Sequence, residues 1–527
     1  MYGVISSAAV YGVEGKMIAI EIDISPGLPQ VNIVGLPDAA VRESIDRVRS
    51  AVRNNGWKFP LERITINFAP ADLRKEGSTF DLGVAVALLV TSGQLQVETF
   101  RDMIIIGELA LDGTTRPIKG ILSLIDEAKR QGYHSALVPE ANAAEAILVG
   151  GIDIYPISRL DELKTWDIHV PSPYNKTLIA SCSSLPENDE IQLEGAEDYA
   201  DVRGQWHVKR ALTVTAAGMH NVLLSGPPGT GKTMLMRRLP TIMPPLSDEE
   251  ALEVSKLYSV SGKWTQPSSG LIRERPFRSP HHSISSAGLI GGGSIPKPGE
   301  VSLAHRGILF LDELPEFPRV SLEVLRQPLE DRHVTIGRAK AVFRYPAHFV
   351  LAASMNPCPC GYDGFTQETC TCTPARLNQY RSKLSGPLLD RIDVQVTVPR
   401  APLQDWDQPT LSSADMKAAV LEAQARQSLR YRDLPITFNS ELRGQWLKRY
   451  CVMSSDAASL LHDVYEQLGL SMRAHDRILK LARTIADLDN SDLITTEHTV
   501  EAVRYRSLDW NNQVNRAAAG SSITGNK

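Results

Sequence analysis

The amino-acid sequence predicts a multidomain α/β protein. The chain has 527 residues, enough for about three domains of roughly 100–200 residues each. Apolar strand patterns alternate with amphipathic helical patterns over most of the chain, which is typical of α/β architectures. One of these strands runs into a glycine-rich loop that opens a helix, and this is the local context of a phosphate-binding loop.

The composition excludes several classes of protein. Hydrophobic residues make up 43% and charged residues 22% of the chain, as in ordinary globular proteins and unlike disordered ones. The net charge of -5 argues against a polycation that coats nucleic acid, although it is compatible with a local basic groove. The start of the chain lacks the pattern of a signal peptide, and the longest apolar run, Leu82 to Val90, is about half of a membrane span. We therefore expect a cytoplasmic protein without a membrane segment.

The first part of the chain predicts a mixed α and β domain. Isoleucines alternate with other residues from Ile18 to Ile24, which is the period of a half-buried strand, and Asp38 to Asn54 has the amphipathic pattern of a helix. Two further strands and one buried helix are predicted at Arg63–Pro70, Met103–Gly107 and Leu82–Val90. A stretch rich in Pro, Ser, Asn and acidic residues follows. It predicts a domain over residues 1–168 and a linker over residues 169–194.

A second α/β domain is predicted over residues 195–400. Its apolar strands are predicted at Asn221–Ser225, Gly307–Leu311 and Phe349–Ala353. Beyond residue 400 the patterns are helical at Ala414–Leu429, Asp456–Leu468 and Met472–Leu488. We predict a helical lid over residues 401–515 and a flexible tail over residues 516–527.

The sharpest motif is a phosphate-binding loop between a strand and a helix. The segment GPPGTGKT matches the pattern G-x-x-x-x-G-K-[ST], and it supplies the predicted nucleotide-binding residues Gly226, Pro227, Pro228, Gly229, Thr230, Gly231, Lys232 and Thr233. Glycines let backbone N–H groups curl around phosphate oxygens, and the helix N-terminus adds positive potential. Lys232 is predicted to reach the β- and γ-phosphates of ATP, and Thr233 is predicted to bind Mg²⁺.

Two adjacent acids supply the second half of this site. Asp312 and Glu313 directly follow the apolar run ILFL, so both are expected at the end of a buried strand. We predict that Asp312 holds Mg²⁺ together with Thr233, and that Glu313 orients and polarises the attacking water. The two motifs together predict an enzyme that hydrolyses ATP.

The spacing of these motifs resembles that of the AAA+ ATPases, whose P-loop core carries a helical lid. The resemblance implies that Asn356 is a polar sensor near the γ-phosphate. It also implies that Arg391, in LLDRID, is an arginine finger that reaches the nucleotide of a neighbouring subunit. Arg473, in SMRA, matches the second sensor, which lies on the lid. Together with Glu313, these are the predicted catalytic residues.

A longer block resembles the magnesium-chelatase-like branch of the AAA+ proteins. It is PGEVSLAHRGILFLDELPEF at 298–317, and RPFRSPHH and LRQPLED extend it. With VNIVGLPDAAVRES at 31–44, nearly the whole chain resembles the ComM/YifB family. The resemblance implies an ATP-driven homohexameric motor on single-stranded or branched DNA. In that family it implies a helicase that promotes branch migration during integration of transforming DNA, with recombination proteins as further partners.

Basic residues on a predicted hairpin support a contact with DNA. The segment HVTIGRAKAVFRYPAHF predicts two strands joined around GRAK. Arg338 and Lys340 are expected near the tip and Arg344 on the return strand, and such a group can grip phosphates without reading sequence. In related motors this hairpin projects into the pore of the ring. An ordinary exposed basic turn is the alternative.

Four of the six cysteines lie within fifteen residues: Cys358, Cys360, Cys370 and Cys372. Four thiolates can bind Zn²⁺ tetrahedrally, although the C-x-C spacing is tighter than usual. The segment between the pairs has too few apolar residues to order itself, so a metal would supply its folding energy. We predict a zinc insert over residues 357–373. A redox dithiol and inert cysteines are the alternatives.

The N-terminal domain resembles the proteolytic domain of Lon, which has the ribosomal S5 domain 2-like fold. The similarity lies in KEGSTFDL at 75–82 and in IGEL and RPIKG further along the chain. In Lon, a lysine amine activates the hydroxyl of a serine. Here the nucleophile position falls on Thr79, beside Ser78, and the lysine position falls on Leu122, while Lys119 would point elsewhere. We predict that the fold persists without peptidase activity.

Two other functions compete with that of a DNA motor. One is a chelatase-like motor that acts on a protein partner, as in a metal chelatase that inserts Mg²⁺ into a porphyrin. The other is an AAA+ ATPase that remodels proteins, as an ATP-dependent protease or chaperone does. Chelatase motor subunits lack a Lon-like domain, and the missing lysine argues against proteolysis. The sequence therefore predicts a P-loop AAA+ core with a helical lid, preceded by an α+β Lon-protease-like domain, that hydrolyses ATP to act on DNA.

Overall fold

A computed structural model describes residues 1–35, 38–71, 75, 77–166, 171–174, 197–264, 270–293, 296–338, 341–365, 369–400 and 409–506. Most of the predicted linker and the whole predicted tail lie outside these residues. The chain forms two compact units. The first contains the chain up to residue 190 together with segments 248–272 and 337–345, and the second contains the remainder. The domain boundaries given above stay predictions.

The first unit is built on a seven-stranded mixed sheet. Its strands lie in the order Gln30–Val34, Arg63–Ala69, Glu14–Ser25, Tyr2–Tyr11, Met103–Ile105, Ser135–Pro139 and Asp153–Ile157. Tyr2–Tyr11 and Glu14–Ser25 form a long antiparallel hairpin in which Ile5 is opposite Ile20. From Tyr2–Tyr11 onward, the last four strands are parallel. A short ribbon of Glu108–Leu109 and Thr115–Arg116 accompanies the sheet.

The helices of the first unit pack on this sheet. They are Ala39–Asn54, Asp81–Thr91, Ile121–Arg130 and Glu140–Ala146, with 3₁₀ turns at Val97–Thr99, Ile147–Val149 and Leu160–Thr165. Ala39–Asn54 begins where it does because the Asp38 carboxylate accepts the Val41 N–H at 2.8 Å. Asp81–Thr91 is buried along nearly its whole length, so the predicted buried helix is confirmed.

The helix Asp248–Ser261 also belongs to the first unit. Lys256 on this helix forms an ion pair with Asp126, and both side chains are nearly buried. Arg130 pairs with the same carboxylate at 2.8 Å, but its side chain is exposed. A Cβ added to Gly120 would lie 3.1 Å from Val260 Cγ2. A buried charge pair and close packing therefore fix this helix in place.

The second unit contains a five-stranded parallel sheet. Its order is Phe277–Arg278, Ile308–Leu311, Val350–Met355, Val222–Ser225 and Val394–Thr397. Every residue of the three central strands is buried, as expected of a parallel sheet covered on both faces. The three strands predicted for this domain are confirmed. Their carboxyl ends meet at one edge, where ligands bind in such folds.

Helices surround this sheet and form the C-terminal lid. Those before residue 400 are Trp206–Gly218, Lys232–Arg237, Leu239–Ile242, Ser286–Ile290, Glu300–Leu303, Arg319–Glu323, Arg326–Asp331, Pro374–Arg381 and Gly386–Leu389. The lid helices are Ser413–Tyr431, Gly444–Tyr450, Ser455–Leu468, Met472–Leu488 and Thr496–Arg504, and the 3₁₀ turns are Tyr199–Asp201, Leu314–Glu316 and Asn439–Glu441. The short strand pair Gly291–Gly292 with Lys297–Pro298 completes the second unit, whereas most of the hairpin formed by His333–Arg338 and Ala341–Pro346 belongs to segment 337–345 of the first unit. The helical lid is therefore present as predicted.

None of the helices in the described ranges combines the length and the apolar content that a membrane span requires.

Candidate nucleotide site and cysteine cluster

The predicted phosphate loop connects the end of strand Val222–Ser225 to the start of helix Lys232–Arg237. Gly229 and Gly231 have φ angles of +77° and +84°, a region that favours glycine. A Cβ added to Gly226 would lie 2.3 Å from the Val398 carbonyl oxygen, so only glycine fits there. These three glycines are needed for the path of the loop.

The Lys232 side chain lies within this loop. Its Nζ donates to the carbonyl oxygens of Gly226 and Pro227 at 2.8 Å each, and to Asn356 Oδ1 at 3.1 Å. Burial lowers the pKa of Lys232, while the Asp312 and Glu313 carboxylates oppose that shift. The structure therefore brings the predicted lysine and the predicted polar sensor, Asn356, into direct contact.

Asp312 lies between two hydroxyl groups at the end of strand Ile308–Leu311. Thr233 Oγ1 donates to Asp312 Oδ2 at 2.9 Å, which brings the two predicted Mg²⁺ ligands together. The Ser354 hydroxyl donates to Asp312 Oδ1. Ser354 was not predicted from sequence, although a polar residue near the end of the apolar strand Val350–Met355 was a usable signal. A carboxylate and a hydroxyl are hard oxygen ligands of the kind that Mg²⁺ prefers, so the donor set fits this ion.

Glu313 adopts an unusual backbone conformation for a residue with a side chain. Its φ is +53°, in the left-handed region that costs such residues free energy and is found most often at functional sites. Its backbone N–H donates to Asp312 Oδ1 at 3.1 Å, which holds the turn. The Glu313 side chain is exposed, so its carboxylate is accessible to solvent water.

The two predicted catalytic arginines both contact Glu330. The Arg391 side chain is only 8% exposed, and its Nη2 lies 2.6 Å from Glu330 Oε1. Arg473, at the start of lid helix Met472–Leu488, is 65% exposed, and its Nη2 lies 3.8 Å from the same Glu330 oxygen. Their roles as finger and second sensor stay predictions.

The four clustered cysteines converge on one point. Their sulfur atoms all lie within 4.8 Å of one another. The Sγ–Sγ distances are 3.2 Å from Cys358 to Cys360, 3.8 Å from Cys358 to Cys370 and 3.5 Å from Cys360 to Cys370. A zinc tetrahedron with Zn–S bonds of about 2.3 Å has S–S edges of about 3.8 Å. The donor set and its spacing therefore fit Zn²⁺.

Neighbouring groups shift the pKa values of the clustered thiols in opposite directions. A backbone hydrogen bond lowers the pKa of Cys370, but burial and hydrogen bonds with the other thiols outweigh it and raise this pKa, and burial raises the pKa of Cys372. The N–H groups of Gly361 and Asp363 point at Cys358 Sγ, at 3.2 and 3.4 Å. Burial raises the pKa of Cys360, but backbone and thiol hydrogen bonds outweigh it and lower this pKa to about 6. Residues 366–368 of the predicted insert lie outside the described residues.

The cysteine cluster touches the phosphate loop. Gly361 has a φ of +92°, and a Cβ added there would lie 2.5 Å from Pro228 Cδ. The Tyr380 hydroxyl donates to the Asn356 carbonyl oxygen at 3.2 Å. Asp363 forms an ion pair with Arg381, on the same helix as Tyr380, at 2.6 Å. The segment that carries the cluster therefore contacts the phosphate loop directly.

The predicted DNA hairpin is described only in part. Lys340 and the side chain of Arg338 lie outside the described residues, and the Arg344 side chain is exposed. Next to Arg344, Phe343 stacks on Tyr11 with a ring-centroid distance of 4.9 Å. The return strand of the hairpin therefore packs within the first unit rather than standing free.

A buried leucine occupies the position that corresponds to the catalytic lysine of Lon. Leu122 is fully buried in the core of the first unit, and the exposed Lys119 lies against Gly262. Ser78, beside Thr79, donates a hydrogen bond to Glu108.

Comparisons with known proteins cover almost the whole chain. Three family models match: "Subunit ChlI of Mg-chelatase" over residues 20–142, "Magnesium chelatase, subunit ChlI" over 198–406 and its C-terminal model over 410–506. The "Uncharacterized protein YifB" of Salmonella typhimurium is 43% identical over 96% of this chain and 97% of its own length. The "Competence protein ComM" of Haemophilus influenzae is 40% identical over the same shares. A Lon protease of Azorhizobium caulinodans is 28% identical over 31% of this chain and 20% of its own length.

Proposed function

The chain belongs to the ComM/YifB family of magnesium-chelatase-like AAA+ ATPases, and from this premise we propose that it is an ATP-driven ring motor that acts on DNA. The observation that supports ATP hydrolysis is a pair of contacts at one edge of the parallel sheet. Lys232 contacts Asn356 there, and Thr233 contacts Asp312. The finer proposal is a helicase that promotes branch migration while transforming DNA is integrated by homologous recombination.

The chemistry follows from the side chains of the site. Residues 226–233 bind the phosphates of ATP, and the Lys232 amine places positive charge inside that loop. Thr233 and Asp312 would hold Mg²⁺, which would neutralise negative charge on the phosphates. Glu313 polarises the attacking water and Asn356 orients it. Arg473 acts as the second sensor on the lid, and Arg391 acts on the nucleotide of the neighbouring subunit in a homohexamer.

Three observations support DNA as the substrate of the motor. A relative that matches nearly the full length is named a competence protein. The hairpin carries exposed Arg344 and, in sequence, Arg338 and Lys340, and six copies around a ring would multiply this local positive charge. The buried Leu122 gives no amine for proteolysis. We accordingly propose DNA and recombination proteins as partners in the cytoplasm, with a motor that remodels a protein partner as the second candidate.

Forked or single-stranded DNA is expected to raise the rate of ATP hydrolysis several-fold, because a DNA motor couples ATP hydrolysis to movement along the DNA. The measurement is phosphate release with and without DNA, followed by strand displacement on a labelled fork. Raised salt should weaken the stimulation, since phosphate contacts release counterions. Stimulation by an unfolded protein, and none by DNA, would contradict the proposal and favour the second candidate.

We propose that Cys358, Cys360, Cys370 and Cys372 hold one structural Zn²⁺ per chain. Replacing Cys370 with serine is expected to abolish bound zinc and to lower the Tm, because binding free energy at such a site is folding free energy. Elemental analysis of freshly reduced protein and a thermal melt are the measurements. The matched control is Cys451→Ser, since Cys451 is a buried free cysteine outside the cluster. Reduced wild-type protein without zinc would contradict the site.

A further inference from the structure

The return strand of the predicted DNA hairpin, Ala341–Pro346, contacts the turn that follows Tyr11 in the long hairpin of the first unit. The Phe343 ring stacks on the Tyr11 ring, with the ring centroids 4.9 Å apart and the ring planes inclined by 27°. A Cβ added to Gly12 in that turn would lie 3.5 Å from the Arg344 carbonyl oxygen. A side chain and the main chain of the return strand therefore meet the same turn, within the first unit.

The return strand has one packed face and one exposed face. Successive side chains of a strand point to opposite faces. Phe343 and Tyr345 share one face, and Tyr345 is only 1% exposed. Val342 and Arg344 share the other face, where Val342 is 63% exposed and Arg344 is exposed as well. Packing of the Phe343 face against Tyr11 therefore leaves the Arg344 side chain on the solvent side.

The turn that carries Tyr11 is itself held closely. A Cβ added to Gly15 would lie 2.5 Å from the Ser123 carbonyl oxygen, so the second strand of the long hairpin runs directly over helix Ile121–Arg130. On the first strand, Val10 packs against the hydrophobic core to which this helix contributes. Such close packing leaves the backbone little room to move. Tyr11 is therefore a stiff support for the ring that stacks on it.

We propose that Tyr11 and Phe343 are positioning residues that hold Arg344 where it can contact a DNA phosphate. A stacked aromatic pair contributes more than its buried area alone, and a strand that is already fixed loses less conformational entropy when its arginine binds. The positioning role rests on the proposed action on DNA. It goes beyond that function because it gives the first unit a part in the grip on DNA.

The response of ATP hydrolysis to single-stranded oligo(dT) tests the positioning role. Tyr11→Ala is expected to raise the DNA concentration for half-maximal stimulation about fivefold, because the strand is no longer preorganised. The maximal rate at saturating DNA should stay within about twofold, since the phosphate loop is unchanged. Tyr11→Phe keeps the ring and should match the wild type. A lower maximal rate with an unchanged half-maximal concentration would indicate a merely structural role and would overturn the proposal.

The salt dependence of DNA binding tests whether Tyr11 acts through Arg344. Arg344→Ala removes one phosphate contact and should lower the slope of log affinity against log salt by about one. Tyr11→Ala should also lower this slope. The double variant should bind labelled oligo(dT) no more weakly than Arg344→Ala, because the support has nothing left to position. Additive losses of affinity, measured by fluorescence anisotropy, would overturn the link between the two residues.

A second variant and a matched control guard against misfolding. Phe343→Ala removes the other ring of the stack and should reproduce the loss of DNA affinity. The control is Tyr2→Ala, since Tyr2 lies at the opposite end of the strand that ends at Tyr11 and is 68% exposed. It should keep the wild-type Tm and the wild-type response to DNA. Wild-type DNA affinity in both Tyr11→Ala and Phe343→Ala would overturn the positioning role.

The wild-type protein separates this role from the proposed function. Where DNA stimulates the wild type and both ring variants respond to DNA as the wild type does, the positioning role fails and the DNA motor stands. A wild type that neither binds oligo(dT) nor is stimulated by it would contradict the DNA motor, and the positioning role with it.

Discussion

Replacing Lys232 with alanine is expected to lower ATP turnover by about 100-fold or more and to abolish measurable nucleotide binding. Its Nζ lies inside the phosphate loop, 2.8 Å from two loop carbonyl oxygens and 3.1 Å from Asn356 Oδ1. A charge in such a water-poor position interacts far more strongly with phosphate than an exposed one does. Phosphate release and titration with a fluorescent ATP analogue are the measurements.

The control for Lys232→Ala lies on the same short helix. Arg237 ends helix Lys232–Arg237, and its side chain is exposed. Arg237→Ala therefore removes a positive charge nearby without reaching the loop, and it should retain wild-type affinity and turnover. A Lys232→Ala protein that binds and hydrolyses ATP like the wild type would show that the loop is not the nucleotide site.

Replacing Glu313 with glutamine is expected to slow hydrolysis by about 100- to 1,000-fold while ATP still binds. The amide keeps the size of the side chain but is a far weaker base toward water. The neighbouring ligands Asp312 and Thr233 are unchanged, so affinity is retained. Bound ATP should accumulate, which quenched-flow analysis of the bound nucleotide detects, and gel filtration should show an assembled ring.

The matched control for Glu313→Gln is Glu316→Gln. Glu316 is three residues further on, is 47% exposed and pairs with Lys383 at 3.3 Å. Its neutralisation changes the net charge by the same amount and should leave turnover within about twofold, since exposed ion pairs contribute little. Wild-type turnover in Glu313→Gln would assign the water-polarising role to another group.

Much of the fold could be predicted because local patterns determine it. The helix Asp81–Thr91 is buried along nearly its whole length, and its uniformly apolar sequence already indicated that. The central strands of the parallel sheet are short apolar runs followed by functional residues, so Lys232 and Asp312 could be placed at the same edge. Motif spacing and strand order were sufficient for this part of the site.

The remainder depends on contacts between residues far apart in the chain. Ser354 binds Asp312 only because two strands are neighbours in the sheet. Glu330 carries no motif, and its contact with Arg391 joins two segments that lie far apart in the chain. Periodicity cannot reveal such contacts, since it reports which face is buried and not which residue lies opposite.

Helix Asp248–Ser261 belongs to the first unit, although it follows the phosphate loop in the chain. This has a consequence for any attempt to separate the N-terminal region from the rest of the protein. On this helix, Val260 packs against Gly120 and Lys256 forms an ion pair with Asp126. The chain before residue 248 and after residue 272 belongs to the second unit, apart from segment 337–345 and the chain up to residue 190. Deleting the N-terminal region would remove the residues that this helix packs against. Lys256 would lose its ion-pair partner, and the apolar surface around Val260 would be exposed to water. Fragments for expression are therefore better designed around the whole first unit than cut at a single linker.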